Sequence, residues 1–362
     1  MQPRSALEDI RRLCVSGSGT RLAVPAVARL LRPLLGIDSC FFFWIDDAGE
    51  VCEVFVDPPP PAGLLELYAE EFHDAREDDA LPRFSASLRR GPAVATLELS
   101  RRQRQRSAFH HEILRPIRSG YQAWLVLRDG RRPLGLMALH RSRAAGPFDD
   151  GERLRMERLV PLLVHALNAP GEDAPMAPTG ESAMLVLSET GDLLYVAPGA
   201  TELLAMATSR LNWPQPSTDR PDRLLPAPVR ELTRALLAAE SGADIPPPVW
   251  STRSGWGRFT FRAYPLDPAS GDLRAIAVVV SREAPAPFLV AGAVVGAPLS
   301  PRQKELCVHL AGGASYGEIA ARMGISRHTV VEYSQSVFDR LGVRGREALV
   351  DRLIPVPRSS GT

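Results

Sequence analysis

The stretch GEIAARMGISRHTVVEYSQSVFDRLGV, from Gly317 to Val343, constrains the fold more than any other part of the chain. Small and apolar residues recur at helical spacing on either side of a glycine: Ile319, Ala320 and Met323, then Ile325, Val330, Tyr333, Val337 and Leu341. That pattern predicts two amphipathic helices, each with one face to bury. Gly324 stands where the chain must turn, and glycine accepts backbone conformations that are hard for other residues. Ser326 caps the second helix. Ala320 lets the two helices approach closely, and Val330 and Val337 pin the second against the first. Arg327, His328, Gln335 and Asp339 are left facing outward. The spacing alone is satisfied by a plain helical hairpin and equally by a pair that presents its second helix to a nucleic-acid groove.

The flanking residues extend the pattern to four helices. Ser300 is an N-cap with Pro301 at the first helical position, and LSPRQKELCVHLA runs to the stop signal Gly312-Gly313. REALVDRLI supplies the last helix. The whole run, LSPRQKELCVHLAGGASYGEIAARMGISRHTVVEYSQSVFDRLGVRGR, closely resembles the LuxR-type C-terminal DNA-binding domain. Leu299, Ser300, Arg302, Glu305, Leu310, Ala311, Gly313, Glu318, Ile319 and Ala320 match that family's pattern. So do Ile325, Ser326, Thr329, Val330, Leu341, Val343 and Arg346. Four places depart from it. Gln303 replaces the usual first Glu, Tyr316-Gly317 replaces Asn-Lys, Val331 stands where relatives carry a DNA-contacting Lys, and Tyr333 replaces His.

The resemblance implies double-stranded DNA as a partner, with the third helix in the major groove. Arg327 and His328 then lie near the groove, Thr329 and Gln335 reach base edges or phosphates, and Val331 occupies a contact position. Arg302 and Arg346 fit scaffold or phosphate contacts. The family's fourth helix makes the dimer contact, which here falls on Glu347, Val350 and Asp351; RNA polymerase is a further implied partner. Between Pro298 and Pro355 eight cations face six anions, a modest phosphate-binding footprint, so a homodimer on a two-fold operator is expected.

The rest of the chain supplies no global field to help. Its 362 residues carry a net charge of +1, so DNA affinity has to rest on a local site. Nearly all basic residues are arginine, Lys304 being the one lysine. A length of this order predicts two or three domains, and 45% hydrophobic with 23% charged residues is ordinary for a soluble globular protein. Cys14, Cys40, Cys52 and Cys307 lack paired spacing, which argues against a disulfide framework and a structural zinc site. The N-terminus has no apolar signal-peptide core, and the longest apolar run, Phe288–Ala297, is too short to span a bilayer. A cytoplasmic protein without a membrane partner is the expectation.

Two stretches read as linkers, 169–180 (APGEDAPMAPTG) and 284–297, opening with APAP. They divide the chain into residues 1–168, 181–283 and 298–362. The first block begins with a helical stripe (Ala23, Val27, Leu30, Leu31, Leu34) and a hairpin from CFFFWI to VCEVFV. A polar middle follows, then a second hairpin turning at Asp129-Gly130 and a closing helix. That helix starts near Asp149 and Asp150 and carries Leu159, Leu162, Leu163 and Leu167. The expectation is an α+β sheet with helices on one side, and the run RPLGLMALHRSRAAGPFDDGERLRMERLVPLLVHAL resembles a GAF-type sensor domain. The second block reads strand, Gly191 turn, strand, short helix, a proline-rich stretch (NWPQPSTDRPDRLLPAPV), a helix over Val229–Ser241, and two more strands. Its opening AMLVLSETGDLLYVAPGATELL looks PAS-like, with Ala197-Pro198 where many members carry an Asn-like residue. The expected fold class is thus multidomain: two α+β sensor-like domains plus an all-α four-helix LuxR-type helix-turn-helix.

No catalytic or metal constellation appears. GASYG (Gly313–Gly317) satisfies the hydrolase pattern G-x-S-x-G, but that chemistry needs a strand-to-helix turn, and helical flanks make Ser315 a cap instead. HHE (His110–Glu112) and RRQRQR (Arg101–Arg106) read as solvated helix faces. Glu181–Val290 contains neither His nor Cys, which speaks against a histidine-ligated haem or reactive cysteine there. Phe42 and Trp44 on one strand face, with Trp124, are the candidate ligand-binding residues, against a packed sheet face as the alternative. No cofactor is evident, and an unidentified small-molecule effector is compatible with the pattern. The sequence reads as a DNA-binding transcriptional regulator with sensor-like N-terminal domains. Its rivals are a regulator driven by protein contacts alone and an enzyme with a docking helical tail.

Overall fold

A computed structural model describes residues 3–16, 20–75, 81–168, 174–208, 225–239, 249–267 and 274–354. Described residues up to Asn168 form one compact unit and those from Ala174 onward a second.

The first unit opens with helices α1 (Pro3–Val15) and α2 (Thr20–Leu35), the latter burying Ala23, Val27 and Leu31 as its stripe predicts. The first hairpin follows as strands β1 (Ser39–Ile45) and β2 (Val51–Asp57). The polar middle is more structured than its composition indicates. It folds as α3 (Leu64–Leu67), a π-helical turn (Tyr68–Phe72), α4 (Phe84–Arg90), strand β3 (Val94–Glu98), α5 (Arg101–Arg106) and a second π-helical turn (His110–Leu114). Strands β4 (Tyr121–Asp129) and β5 (Arg132–Arg141) form the second hairpin, and α6 (Asp150–Asn168) closes the unit. Asp149 and Glu152 cap α6 reciprocally: each backbone N–H donates to the other's carboxylate, at 2.9 and 2.7 Å.

The sheet is antiparallel in the order β2-β1-β5-β4-β3. Contrary to the one-sided expectation, both of its faces are covered. One face, carrying Phe42, Trp44, Leu125, Met137 and Leu139, lies under α2 and α6, with α1 packed on those helices. The other face, carrying Phe41, Phe43, Trp124, Leu136 and Ala138, packs against α4, the π-helical turns and their flanking segments. The reason is in the strands themselves: CFFFWI and AWLVL are continuous apolar runs, and strands buried on both faces lack alternation.

His140 lies inside this core, its Nδ1 2.9 Å from the Ser119 hydroxyl oxygen and its ring edge-on to Phe41 at 5.1 Å. Burial pushes its pKa down to about 3, so the ring is neutral. The unfolded chain, with a histidine near 6.5, binds the extra proton between these values. This contribution to stability is therefore complete above about pH 6.5 and is lost as pH falls toward 3, with a slope of up to about 1.4 kcal/mol per pH unit. Urea unfolding between pH 7 and pH 4.5 should show a shallower pH dependence in His140→Gln than in the parent; equal slopes would contradict a neutral buried ring.

The second unit begins with β6 (Met176–Ser188), turns at Gly191, returns as β7 (Leu193–Val196) and enters α7 (Ala200–Thr208). Helix α8 (Ala227–Ala239) and strands β8 (Val249–Ser254), β9 (Gly257–Leu266) and β10 (Ala275–Pro285) follow. Most of the proline-rich stretch lies outside the described residues. The antiparallel sheet runs β7-β6-β10-β9-β8. Leu185, Leu187, Phe259, Phe261, Val278 and Val280 are buried on the face beneath α7 and α8.

Both stretches read as linkers contain regular structure. Residues 169–173 lie outside the described set, but Met176–Gly180 belong to β6, where Met176, Ala177 and Pro178 pair with Pro285, Ala284 and Glu283. In 284–297, Ala284 and Pro285 end β10, and Ala286–Ala293 form helix α9 with Pro287 in its first turn. APFLVAGAVV has no polar face because α9 is sandwiched: it packs on β6 and β10 and on the helices that follow. Val290, Ala291 and Val294 are fully buried.

Candidate nucleic-acid interface and apolar cavity

Four helices complete the second unit: α10 (Pro301–Ala311), α11 (Tyr316–Met323), α12 (Arg327–Leu341) and α13 (Gly345–Leu353). Each boundary has a chemical cause. Ser300 and Gln303 form a capping box on α10, and Ser315 and Glu318 form another on α11. The Glu318 N–H donates to the Ser315 hydroxyl and the Ser315 N–H to the Glu318 carboxylate. The Ser315 backbone N–H, followed by the Ser315 side chain, holds the Glu318 carboxyl below its ordinary pKa. The G-x-S-x-G match is therefore a helix cap. Gly324 ends α11 in the left-handed conformation (φ 64°), and Ile325 N–H donates back to the Ala320 carbonyl at 3.1 Å. Ser326 caps α12 by accepting from Thr329 N–H at 3.0 Å, and Gly342 ends it at φ 66°.

Helix α12 buries Val330, Ser334 and Val337 against Ile319, Met323 and the first helix of the bundle. Each fully buried valine contributes about 1.5–3 kcal/mol. Ser334 meets its polar need within the helix, donating to the Val330 carbonyl at 2.8 Å. A second tie fixes the orientation of α12: Gln303 Nε2 donates to Ser336 Oγ at 3.0 Å, and Arg340 donates to the Pro298 carbonyl at 3.3 Å. Gln303 thus serves as cap and as cross-brace, a role its position in the sequence does not reveal.

The opposite face of α12 is open to solvent and carries Arg327, His328, Val331, Glu332, Gln335 and Asp339. Val331 is 47% exposed, unusually bare for a valine. His328 Nδ1 lies 3.6 Å from Glu332, and Gln335 Nε2 donates to Asp339 at 3.1 Å. Thr329 is half-buried with its hydroxyl 2.9 Å from that of Ser326, so it sits at the cap and not on the open face. Arg302 is exposed and pairs with Glu305 at 3.1 Å. Arg346 donates to the Ala314 carbonyl, tying α13 to the turn before α11. Lys304 is buried, its Nζ donating to the Val295 carbonyl at 2.7 Å. Three of the eight cations counted in the sequence (Lys304, Arg340 and Arg346) therefore hold the fold, while Arg322, Arg327, Arg344 and Arg352 are exposed. On α13, Glu347 and Asp351 face solvent, Val350 is half-buried and Leu349 is in the core.

The candidate ligand residues part company. Phe42 and Trp44 face α2 and α6 and line no cavity among those described. Trp124 lies on the other face, where a cavity of about 50 Å3 is bounded by Phe41, Phe43, Tyr68, Phe84 and Phe109, with Gln122 and His140 at its polar positions. Adjacent residues of one strand point to opposite faces, and a run apolar on both gives no sign of which face is hollow.

Residues 297–353 match the family model of bacterial regulatory proteins of the luxR family, and this part of the chain is a LuxR-type helix-turn-helix domain. The probable transcriptional regulatory protein SgaR of Hyphomicrobium methylovorum is 39% identical over 61 residues. That similarity covers 17% of this chain and spans 29% of the relative's length. Among solved structures, the Vibrio cholerae VqmA dimer aligns at 17% identity over 48% of this chain and 81% of its own, with a TM-score of 0.19. Bacteriophytochrome RpBphP3 from R. palustris aligns at 14% identity over 77% of this chain and 61% of its own, with a TM-score of 0.31. No helix among the described residues is long and apolar enough to cross a membrane.

Proposed function

We propose that the chain is a DNA-binding transcriptional regulator in which α12 enters the major groove and the preceding domains sense a small molecule. The observation that carries the reading is the two-faced character of α12. Its inner face is locked by Val330, Ser334, Val337 and Ser336, while its outer face presents Arg327, His328, Val331 and Gln335 unobstructed. A helix held this firmly by one face, with its N-terminus exposed, is the geometry of a groove reader. Arg327 and Gln335 are then the base-edge or phosphate contacts, with Arg322 and Arg344 near the backbone. Thr329 and Arg346 support the scaffold. The chain acts as a homodimer through the exposed edge of α13, at Glu347, Val350 and Asp351. The element order of the first unit supports a GAF-like sensor and that of the second sheet a PAS-like one.

Selection of bound sequences from a random duplex pool by the full-length protein, followed by gel-shift titration at two salt concentrations, tests the reading. An enriched two-fold site with salt-dependent affinity is expected, and Arg327→Ala should weaken binding at least fivefold without lowering the melting temperature. Absence of any salt-dependent DNA binding overturns it.

A further inference from the structure

The cavity in the first unit is chemically selective. No Asp, Glu, Lys or Arg lines it. Its aromatic walls are mutually packed, Phe43 on Phe84 at 5.1 Å and Tyr68 near Phe109 at 6.1 Å. Besides the Tyr68 hydroxyl, which lies 3.3 Å from His73 Nδ1, three polar groups stand against them: the Gln122 amide, the uncharged His140 imidazole and the Trp124 indole. Trp124 is 5% exposed, and among the described residues its Nε1–H has no hydrogen-bond partner. A buried donor left unbonded is destabilising, and persistent cases call for an explanation such as a missing acceptor.

The cavity is small and has a second one beside it. The volume of about 50 Å3 is a third of the roughly 150 Å3 that accommodates benzene. Behind Trp124 lies a second hollow of about 250 Å3, bordered by Pro82, Ala86, Arg90, Pro92 and Val126. The indole therefore has space to move into. Tyr68 and Ile113, on the facing wall, belong to the two π-helical turns, a geometry found often at functional sites.

We propose that this cavity is an effector site for a small, uncharged, single-ring organic molecule bearing one hydrogen-bond acceptor, which takes the N–H of Trp124. Carboxylates, phosphates and ammonium compounds are excluded, because nothing in the lining compensates a buried charge. The proposal rests on the reading of the first unit as a sensor, and it specifies what is sensed.

Full-length protein labelled with 15N at its five tryptophans would be titrated with acetophenone, toluene and benzoate. The indole resonance of Trp124 is the one that disappears in Trp124→Phe. Acetophenone at millimolar concentration should shift that resonance markedly, toluene less, and benzoate not at all. Trp124→Phe should weaken acetophenone about three- to tenfold, as for one lost hydrogen bond, and toluene less than twofold. No shift with acetophenone, an equal shift with benzoate, or unchanged acetophenone affinity in the variant overturns the site; the three parent titrations decide even where the variant fails to fold. Binding as described with no change in DNA affinity leaves the site standing and removes the sensor reading.

Discussion

Replacing Gly257 with alanine should destabilise the second unit by about 3 kcal/mol or more. Gly257 closes the β8–β9 hairpin at φ 125°, a region L-residues rarely enter. A β-carbon there would lie 2.2 Å from the Glu283 carbonyl oxygen, which is backbone and cannot rotate aside. The surroundings are pinned as well. Arg258 pairs with Glu283 at 2.5 Å, and Arg282 Nε donates to the Trp256 carbonyl at 2.8 Å. Because β10 passes straight into α9, yielding at Glu283 would displace the strand that carries the helical bundle. A urea midpoint within experimental error of the parent would mean that the hairpin relaxes more freely than its geometry indicates. The same contact explains why Gly257 reads in the sequence merely as a hairpin residue: the constraint comes from a strand some twenty-five positions away.

Lysine at position 331 should tighten DNA binding about eightfold at 0.1 M salt and steepen the slope of log affinity against log salt by about 0.9 for each protomer in contact. Val331 lies one turn from both Arg327 and Gln335 on the open face, which otherwise carries Glu332 and Asp339. A cation there would offset acidic neighbours and reach the same surface as Arg327. The substitution removes an exposed valine and introduces a better helix former, so stability should hold or rise slightly. Matched titrations of Val331→Lys and parent at 50 and 200 mM salt measure both quantities. Unchanged affinity together with an unchanged slope would place this face away from DNA, whatever the fold.

The C-terminal helices were legible because their determinants are local. Caps at Ser300, Ser315 and Ser326, and left-handed stops at Gly324 and Gly342, act within four residues of where they stand. What escaped was decided by distant partners. The run at 284–297 looks like a linker only while the sheet and helices that enclose it are unseen. Strands β3 and β8 are short and carry a weak apolar pattern, and they take their places at the sheet edges by pairing with β4 and β9. The apolar cavity was half visible. Trp124 lines it whereas Phe42 and Trp44 lie on the opposite face, and in CFFFWI both alternations are apolar, so only packing on the sheet distinguishes them. Cation roles were equally hidden: nothing around Lys304 in sequence reveals the Val295 carbonyl that claims it.

Helix α9 also sets an angular phase. Pro287 and Pro175 approach Gly312 and Gly313 at the end of α10, to 3.3 and 3.8 Å of where a β-carbon would stand, so the bundle is seated on the sheet and not tethered to it. One residue inserted into α9 would advance helices α10–α13 by about 1.5 Å and turn them by about 100°. The orientation of α12 relative to the β7-β6-β10-β9-β8 sheet is then written into the number of residues between Ala286 and Ala293, as a gear's timing is written into its tooth count.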